Sequence, residues 1–129
     1  MLDTNVASAL LKGHSRVVVR LKAETPGRIC LSVVTEAELL YGVAKRPEAR
    51  KLHAAVDELL AAIEILAWDS ETARRYGAIR AELERRGKPL GALDLLIAAH
   101  AVVHDAVLVT NDRAFGAVPG LRLEDWTQA

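Results

Sequence analysis

One cysteine, few aromatic residues, no excess of either charge and no long apolar run together exclude much of what a chain of 129 residues could be. The lone Cys30 rules out a disulfide framework or a thiolate zinc site built within one chain. Aromatic residues make up only 4%, so base stacking cannot be a widespread mode of ligand contact. Lys plus Arg and Asp plus Glu are both 17, and the balance argues against coating nucleic acid through bulk charge. No apolar stretch approaches the roughly 20 residues of a membrane span, and no signal peptide is visible. We therefore expect a cytoplasmic protein with no membrane partner.

What is present is Ala, Val and Leu in quantity, with 51% of all residues hydrophobic. That composition suits helices packed on a small sheet, and the length fits a single domain spanning residues 1–129. Read in order, Val6 to Leu11 forms a short helix and Ser15 to Glu24 a second, stopped by Thr25-Pro26-Gly27. The run Ile29-Cys30-Leu31 predicts a buried strand over Arg28 to Ser32. A helix follows to about Ala44, with Thr35 and Glu38 in the spacing of a capping box.

Leu52, Val56, Leu59, Leu60 and Ile63 form the apolar stripe of a further helix, and a short strand lies at Ile65-Leu66. Asp69-Ser70 caps a helix with Ala73, Tyr76, Ile79 and Leu83 on its buried side, ended by Gly87-Lys88-Pro89. Leu93 to Val103 is apolar almost all round and should be a buried helix. Ala106 to Val109 predicts a central strand, followed by a helical turn at Arg113 to Phe115 and an edge strand at Leu121 to Leu123. Alternating strands and helices imply a parallel sheet with helices on both faces, and ligands of such sheets bind beyond the carboxyl ends of the strands.

Four acids belong at that rim. Asp3 and Asp112 each follow a strand, Glu38 lies about one turn into the helix leaving the second strand, and Asp94 begins the buried helix. Each has an ordinary alternative: an N-cap for Asp3 and Asp112, half of a capping box for Glu38, a helix-dipole contact for Asp94. Together they point elsewhere. Converging carboxylates repel unless a cation joins them, and oxygen ligands alone favour a hard ion, Mg²⁺ or Mn²⁺.

The stretches Leu2-Asp3-Thr4-Asn5, Ser32 to Gly42, Asp94 to Ala101 and Leu108 to Phe115 resemble the signatures of PIN-domain ribonucleases, nearest to VapC-type toxins of bacterial toxin-antitoxin pairs. The resemblance spans nearly the whole chain, with Glu38-Leu39-Leu40-Tyr41-Gly42 in the register of the family's Glu-Leu-x-x-Gly pattern. It implies a three-layer α/β/α domain with a central parallel sheet of four or five short strands. It further implies a Mg²⁺-dependent endoribonuclease (Mn²⁺ a possible substitute), with RNA as substrate, a cognate antitoxin as inhibitor and a homodimeric state. By position Asp3, Glu38, Asp94 and Asp112 match the acidic quartet that holds metal and carries catalysis, and Asn5 and Thr110 match polar residues beside it. A catalytically silent RNA-binding or regulatory module with the same acids is the alternative.

Other groups read more plainly. The cations of Arg74, Arg75, Arg80, Arg85, Arg86 and Lys88 alternate with Glu71, Glu82 and Glu84, as on a solvated helix face. His100 and His104 share a helix, but no Glu follows His100, so the zinc-protease pattern fails and a surface or helix-end role is expected. The apolar positions of Val6 to Leu11, Leu39 to Val43 and Leu52 to Ile63 could line a groove for an amphipathic antitoxin segment.

Overall fold

The computed structural model describes residues 1–25 and 27–128. Helices α1 (Thr4–Leu11) and α2 (Ser15–Ala23) precede β1 (Cys30–Ser32), which runs directly into α3 (Val33–Ala44). Then come α4 (Arg50–Ala62), β2 (Glu64–Leu66), α5 (Ser70–Arg85) and α6 (Ala92–Val103). The chain closes with β3 (Leu108–Val109), a 3₁₀ turn (Arg113–Ala117) and β4 (Leu123–Glu124). β1 and β3 are shorter than the runs that predict them, β2 adds Glu64 to Ile65-Leu66, β4 is shifted from Leu121–Leu123 to Leu123–Glu124, and the stretch before Asp3 forms only a single parallel bridge from Leu2 to Val109. The stop expected at Thr25-Pro26-Gly27 falls after the end of α2, and Pro26 itself lies outside the described residues.

β1 pairs in parallel with β2, Leu31 opposite Ile65, and β3 pairs in parallel with β4, Val109 opposite Glu124. The opening residues stitch the two pairs together. The Leu2 amide donates to Cys30 O at 3.1 Å, the Asp3 amide to Val109 O at 3.0 Å, and the Val109 amide to Met1 O at 2.8 Å. Neighbouring residues of a strand point to opposite faces, and the packing follows that rule. Met1 and Leu108 join one core cluster with Ile79, Leu83, Ile97 and Phe115. Leu2 and Val109 join the other with Val6, Val17, Leu31, Val56 and Trp126. The three-layer arrangement follows: α5 and α6 cover one face, α1, α2 and α4 the other.

Helix α6 is the interior element expected of it. Leu95, Ile97, Ala98, Ala99, His100 and Ala101 are all buried, and burying a Leu or Ile side chain contributes about 1.5–3 kcal/mol each. Three details depart from expectation. The cap of α3 is Ser32, whose hydroxyl accepts from the Val34 amide at 3.1 Å, and Thr35 lies within the helix, so the capping box does not form. Ser32 sits at the strand end, where the chain turns helical, and takes the cap before Thr35 can. On α5, Thr72 occupies the buried slot with Ile79 and Leu83, while Ala73 is exposed. His100 is fully buried rather than at the surface, because both ring nitrogens find partners inside.

Candidate active site

Asp3 ends the lane between β1 and β3 and begins α1. Its carboxylate caps that helix, accepting from the Val6 amide at 2.8 Å, and it is only 3% exposed. Burial holds its pKa above the ordinary Asp value. The Thr110 hydroxyl and the Val6 amide pull it down, and the nearby carboxylates of Asp112 and Glu38 push it up again. Capping and a place among like charges therefore coexist in one side chain.

Glu38 reaches this cluster from α3. Freed from a capping box, it is held instead by Thr4, whose hydroxyl donates to Oε1 at 2.7 Å. The Thr4 oxygen also lies 3.2 Å from that of the buried Thr35. Nothing in the local sequence marks this contact, since Thr4 and Glu38 are 34 positions apart.

Asp94 stands in the first turn of α6, as expected, half-buried above Gly91. A side chain at Gly91 would begin 3.7 Å from Oδ2, so the glycine leaves the carboxylate open on that side. Its pKa is raised, first by burial and then by Asp112, Asp3 and Glu38. Asp112 caps the 3₁₀ turn through the Ala114 amide at 2.9 Å, and its own amide donates to Thr110 Oγ1 at 3.0 Å. The four acids thus lie within electrostatic range of one another at the strands' carboxyl rim, with the buried Thr110 between Asp3 and Asp112. Asn5 is exposed on α1, and no hydrogen bond joins it to the acids among the described residues.

No ion pair among the described residues relieves this charge. The ion pairs among the described residues involve Glu24, Glu48, Glu82, Glu84, Asp105 and Glu124, and none of the four acids. Among the described residues no three such side chains stand close enough together to form a cation cage. The donor set is all carboxylate and hydroxyl oxygen, which fits a hard divalent cation and poorly fits zinc or copper. Such an ion would offset the desolvation and repulsion felt by Asp3 and Asp94.

The remaining candidates separate cleanly. Arg80 pairs with Glu84 at 3.0 Å, Arg85 with Glu82, and Arg86 donates to Ala117 O at 3.2 Å, as a solvated helix face would have it. The apolar positions of α1, α3 and α4 do line a cleft of about 210 Å³ formed by Leu11, Leu39, Val43, Leu52 and Val56. Thr4 and Glu38 border the same cleft, as do the exposed cations Lys12, Lys45 and Arg46. Sequence reasoning missed Thr4, and it missed the Ser32–His100 contact at 2.7 Å.

In sequence and in fold the chain is similar to known proteins. The family described as "PIN domain" matches residues 1–121. The "tRNA(fMet)-specific endonuclease VapC" of Shigella flexneri is 38% identical over 128 residues, covering 98% of this chain and 97% of that one. Among solved structures, VapBC2 from Rickettsia felis bound to a promoter DNA fragment superposes with a TM-score of 0.91 at 35% identity, covering 98% of this chain and 97% of the other. DNA-bound VapBC from Salmonella typhimurium gives 0.91 at 38% identity, with 98% and 96% covered.

Proposed function

The chain belongs to the PIN-domain family, in its VapC ribonuclease group, and from that membership we propose that it hydrolyses RNA phosphodiester bonds in the pocket of Asp3, Glu38, Asp94 and Asp112. It is an endoribonuclease of the toxin class, neutralised by a cognate antitoxin. The observation that carries the placement is the shared, uncompensated charge of four acids at one rim, two of them with raised pKa values.

Family members of this kind depend in general on a divalent metal, and Mg²⁺, with Mn²⁺ as substitute, is the ion these oxygens suit. When bound, it supplies a Lewis acid beside the scissile phosphate and a lower pKa for the attacking water. Asp3, Asp94 and Asp112 would hold it. Glu38 has one oxygen occupied by Thr4, which fixes the carboxylate and leaves the other oxygen to orient a water or accept its proton. Thr110 favours the ionised form of Asp3 by donating to it, against the larger effect of burial. Water attacks without the RNA 2′-hydroxyl, so the products carry 5′-phosphate and 3′-hydroxyl ends.

The apolar cleft beside Glu38 takes an amphipathic segment of the antitoxin, with Lys12, Lys45 and Arg46 meeting acidic residues on that segment. Seated there, the antitoxin would also block the approach of RNA to Glu38. Transfer RNA is the first substrate class to assay, by similarity to the Shigella enzyme. Exposed Leu40, Tyr41 and Leu93 are available to a second copy, and we assign a homodimer.

Purified protein is incubated with RNA and Mg²⁺, with chelator, and as Asp94→Asn, and the cut ends are sequenced. Cleavage that needs both metal and Asp94 is the expected result. A 2′,3′-cyclic phosphate product, or cleavage indifferent to Asp94, overturns the reading, and no cleavage under any condition favours the silent module.

A further inference from the structure

His100 lies on α6, at the far end of the helix from Asp94, and is fully buried. Its Nε2 is 3.0 Å from the Ala67 carbonyl, and its Nδ1 is 2.7 Å from Ser32 Oγ. A carbonyl only accepts, so Nε2 carries a proton, and in the neutral imidazole Nδ1 is then bare. The Ser32 hydroxyl therefore donates to Nδ1 while its oxygen accepts from the Val34 amide, and every hydrogen of the chain is assigned. The result is a clamp that runs from the residue after β2, through α6, into the cap of α3. Both ring nitrogens and the Ser32 hydroxyl hydrogen have partners, and among the described residues no hydrogen bond joins the clamp to the acids.

The clamp's position gives it a second consequence. Glu38 follows Ser32 by six residues and Asp94 precedes His100 by six, a distance of about 9 Å along each helix axis. The two helices pack directly on each other. A slide or rotation of α6 against α3 at the clamp would be carried by two rigid helices to the two carboxylates. Ser32 and His100 thus tie together the two helices that carry these carboxylates.

We propose that His100, as the Nε2-protonated neutral imidazole bonded to Ser32, is a positioning residue for RNA hydrolysis that sets Asp94 against Glu38. The proposal rests on the assignment of the acidic pocket as the active site.

Substitutions split the clamp. In His100→Asn the side-chain oxygen can still accept from Ser32 but nothing reaches Ala67. In His100→Gln the amide can still donate to Ala67 but leaves Ser32 without its acceptor. Ser32→Gly removes the hydroxyl while keeping a residue well accepted at an N-cap. Misplacing a catalytic group by 1 Å can lower a rate about 100-fold, so His100→Gln and Ser32→Gly should lose about 10- to 100-fold in kcat with KM within about twofold. His100→Asn should keep kcat within about threefold of the parent while its melting temperature falls.

The full chain is assayed on RNA with Mg²⁺, alongside Asp94→Asn. Two-bond ¹H–¹⁵N spectra of the metal-free protein give a second readout: Nε2 protonated, Nδ1 bare, and Nδ1 shifted in Ser32→Gly. A core-filling role alone would make kcat follow stability across the variants, and that outcome overturns the proposal, as does an Nδ1-protonated ring. If His100→Gln fails to fold, Ser32→Gly decides, and an unchanged kcat there overturns it. Cleavage surviving in Asp94→Asn would instead overturn the site assignment. Loss in Asp94→Asn with full activity in Ser32→Gly overturns only the positioning role.

Discussion

The two ends of α6 treat a buried ionisable group in opposite ways. At the end, His100 has each nitrogen bonded and its charge suppressed: burial and His104, whose ring lies 5.0 Å away, lower its pKa, against smaller opposing effects of Ala67 and Asp69. At the start, Asp94 has no hydrogen bond to its carboxylate among the described residues and three other carboxylates nearby. A fold selected only for stability would finish both sites. The one it leaves open is where chemistry is expected, and the one it closes is what keeps the open one in shape.

Removing each group breaks the comparison in a different currency. Asp94→Asn should lower RNA cleavage by about 1,000-fold, on the scale of losing an electrostatic group at a reaction centre, without lowering the melting temperature. His100→Leu should do the reverse in stability, costing about 2–5 kcal/mol in denaturant unfolding, because the Ser32 hydroxyl and Ala67 carbonyl are left buried and unpaired. Equal loss of stability in both variants would erase the distinction.

A smaller effect sharpens the open site. Mg²⁺ at ten times its Kd should stabilise the parent by about 1.4 kcal/mol and Asp94→Asn by much less, measured as a melting shift. Thr4→Val, which frees Glu38 from its hydroxyl, should lower kcat about fivefold, roughly the 1 kcal/mol of one hydrogen bond, with little change in folding.

The smallest effect is in pH. His100 has a lowered pKa in the fold, so the unfolded chain binds the proton better, and its stabilising contribution, complete above pH 6.5, is lost as pH falls below that value. Asp3 and Asp94 have raised values, so their contribution has the opposite slope: stability falls as pH rises from 3.8 through their folded values. Thermal unfolding across pH 3 to 8 in chelator should show both limbs, and Asp94→Asn should flatten only the acidic one. A single slope throughout would contradict the contrast between the two ends.

Much of this was legible in the sequence because it is local. Strand runs followed by acids, the apolar circumference of α6 and the order of four motifs place Asp3, Glu38, Asp94 and Asp112 at one rim from the sequence alone. What escaped depends on distant partners. Ser32 and Thr35 are both cap-forming residues three apart, and only the point where β1 stops decides between them. His100 reads as a helix-end cation until Ser32 and Ala67 supply a donor and an acceptor from other layers. Thr4 reads as a spare hydroxyl until α3 brings Glu38 beside it. Ala73 reads as part of the buried stripe with Tyr76, Ile79 and Leu83, whereas it is Thr72 that is drawn in, bonded to Asp69 at 2.8 Å.

The lane at Leu2 and Asp3 also has a bearing on time. It is flanked by β1 on one side and by Val109 on the other, and the Asp3 amide is held by the Val109 carbonyl. Translation at about 5–20 residues per second delivers Val109 roughly 5–20 s after Asp3. For that interval the nascent chain has its first acid but neither the strand that seats it nor the Asp112 that completes the rim. A ribosome making this chain therefore carries Asp3 without its seat or its neighbouring acid until the stretch from Val109 to Asp112 has been added.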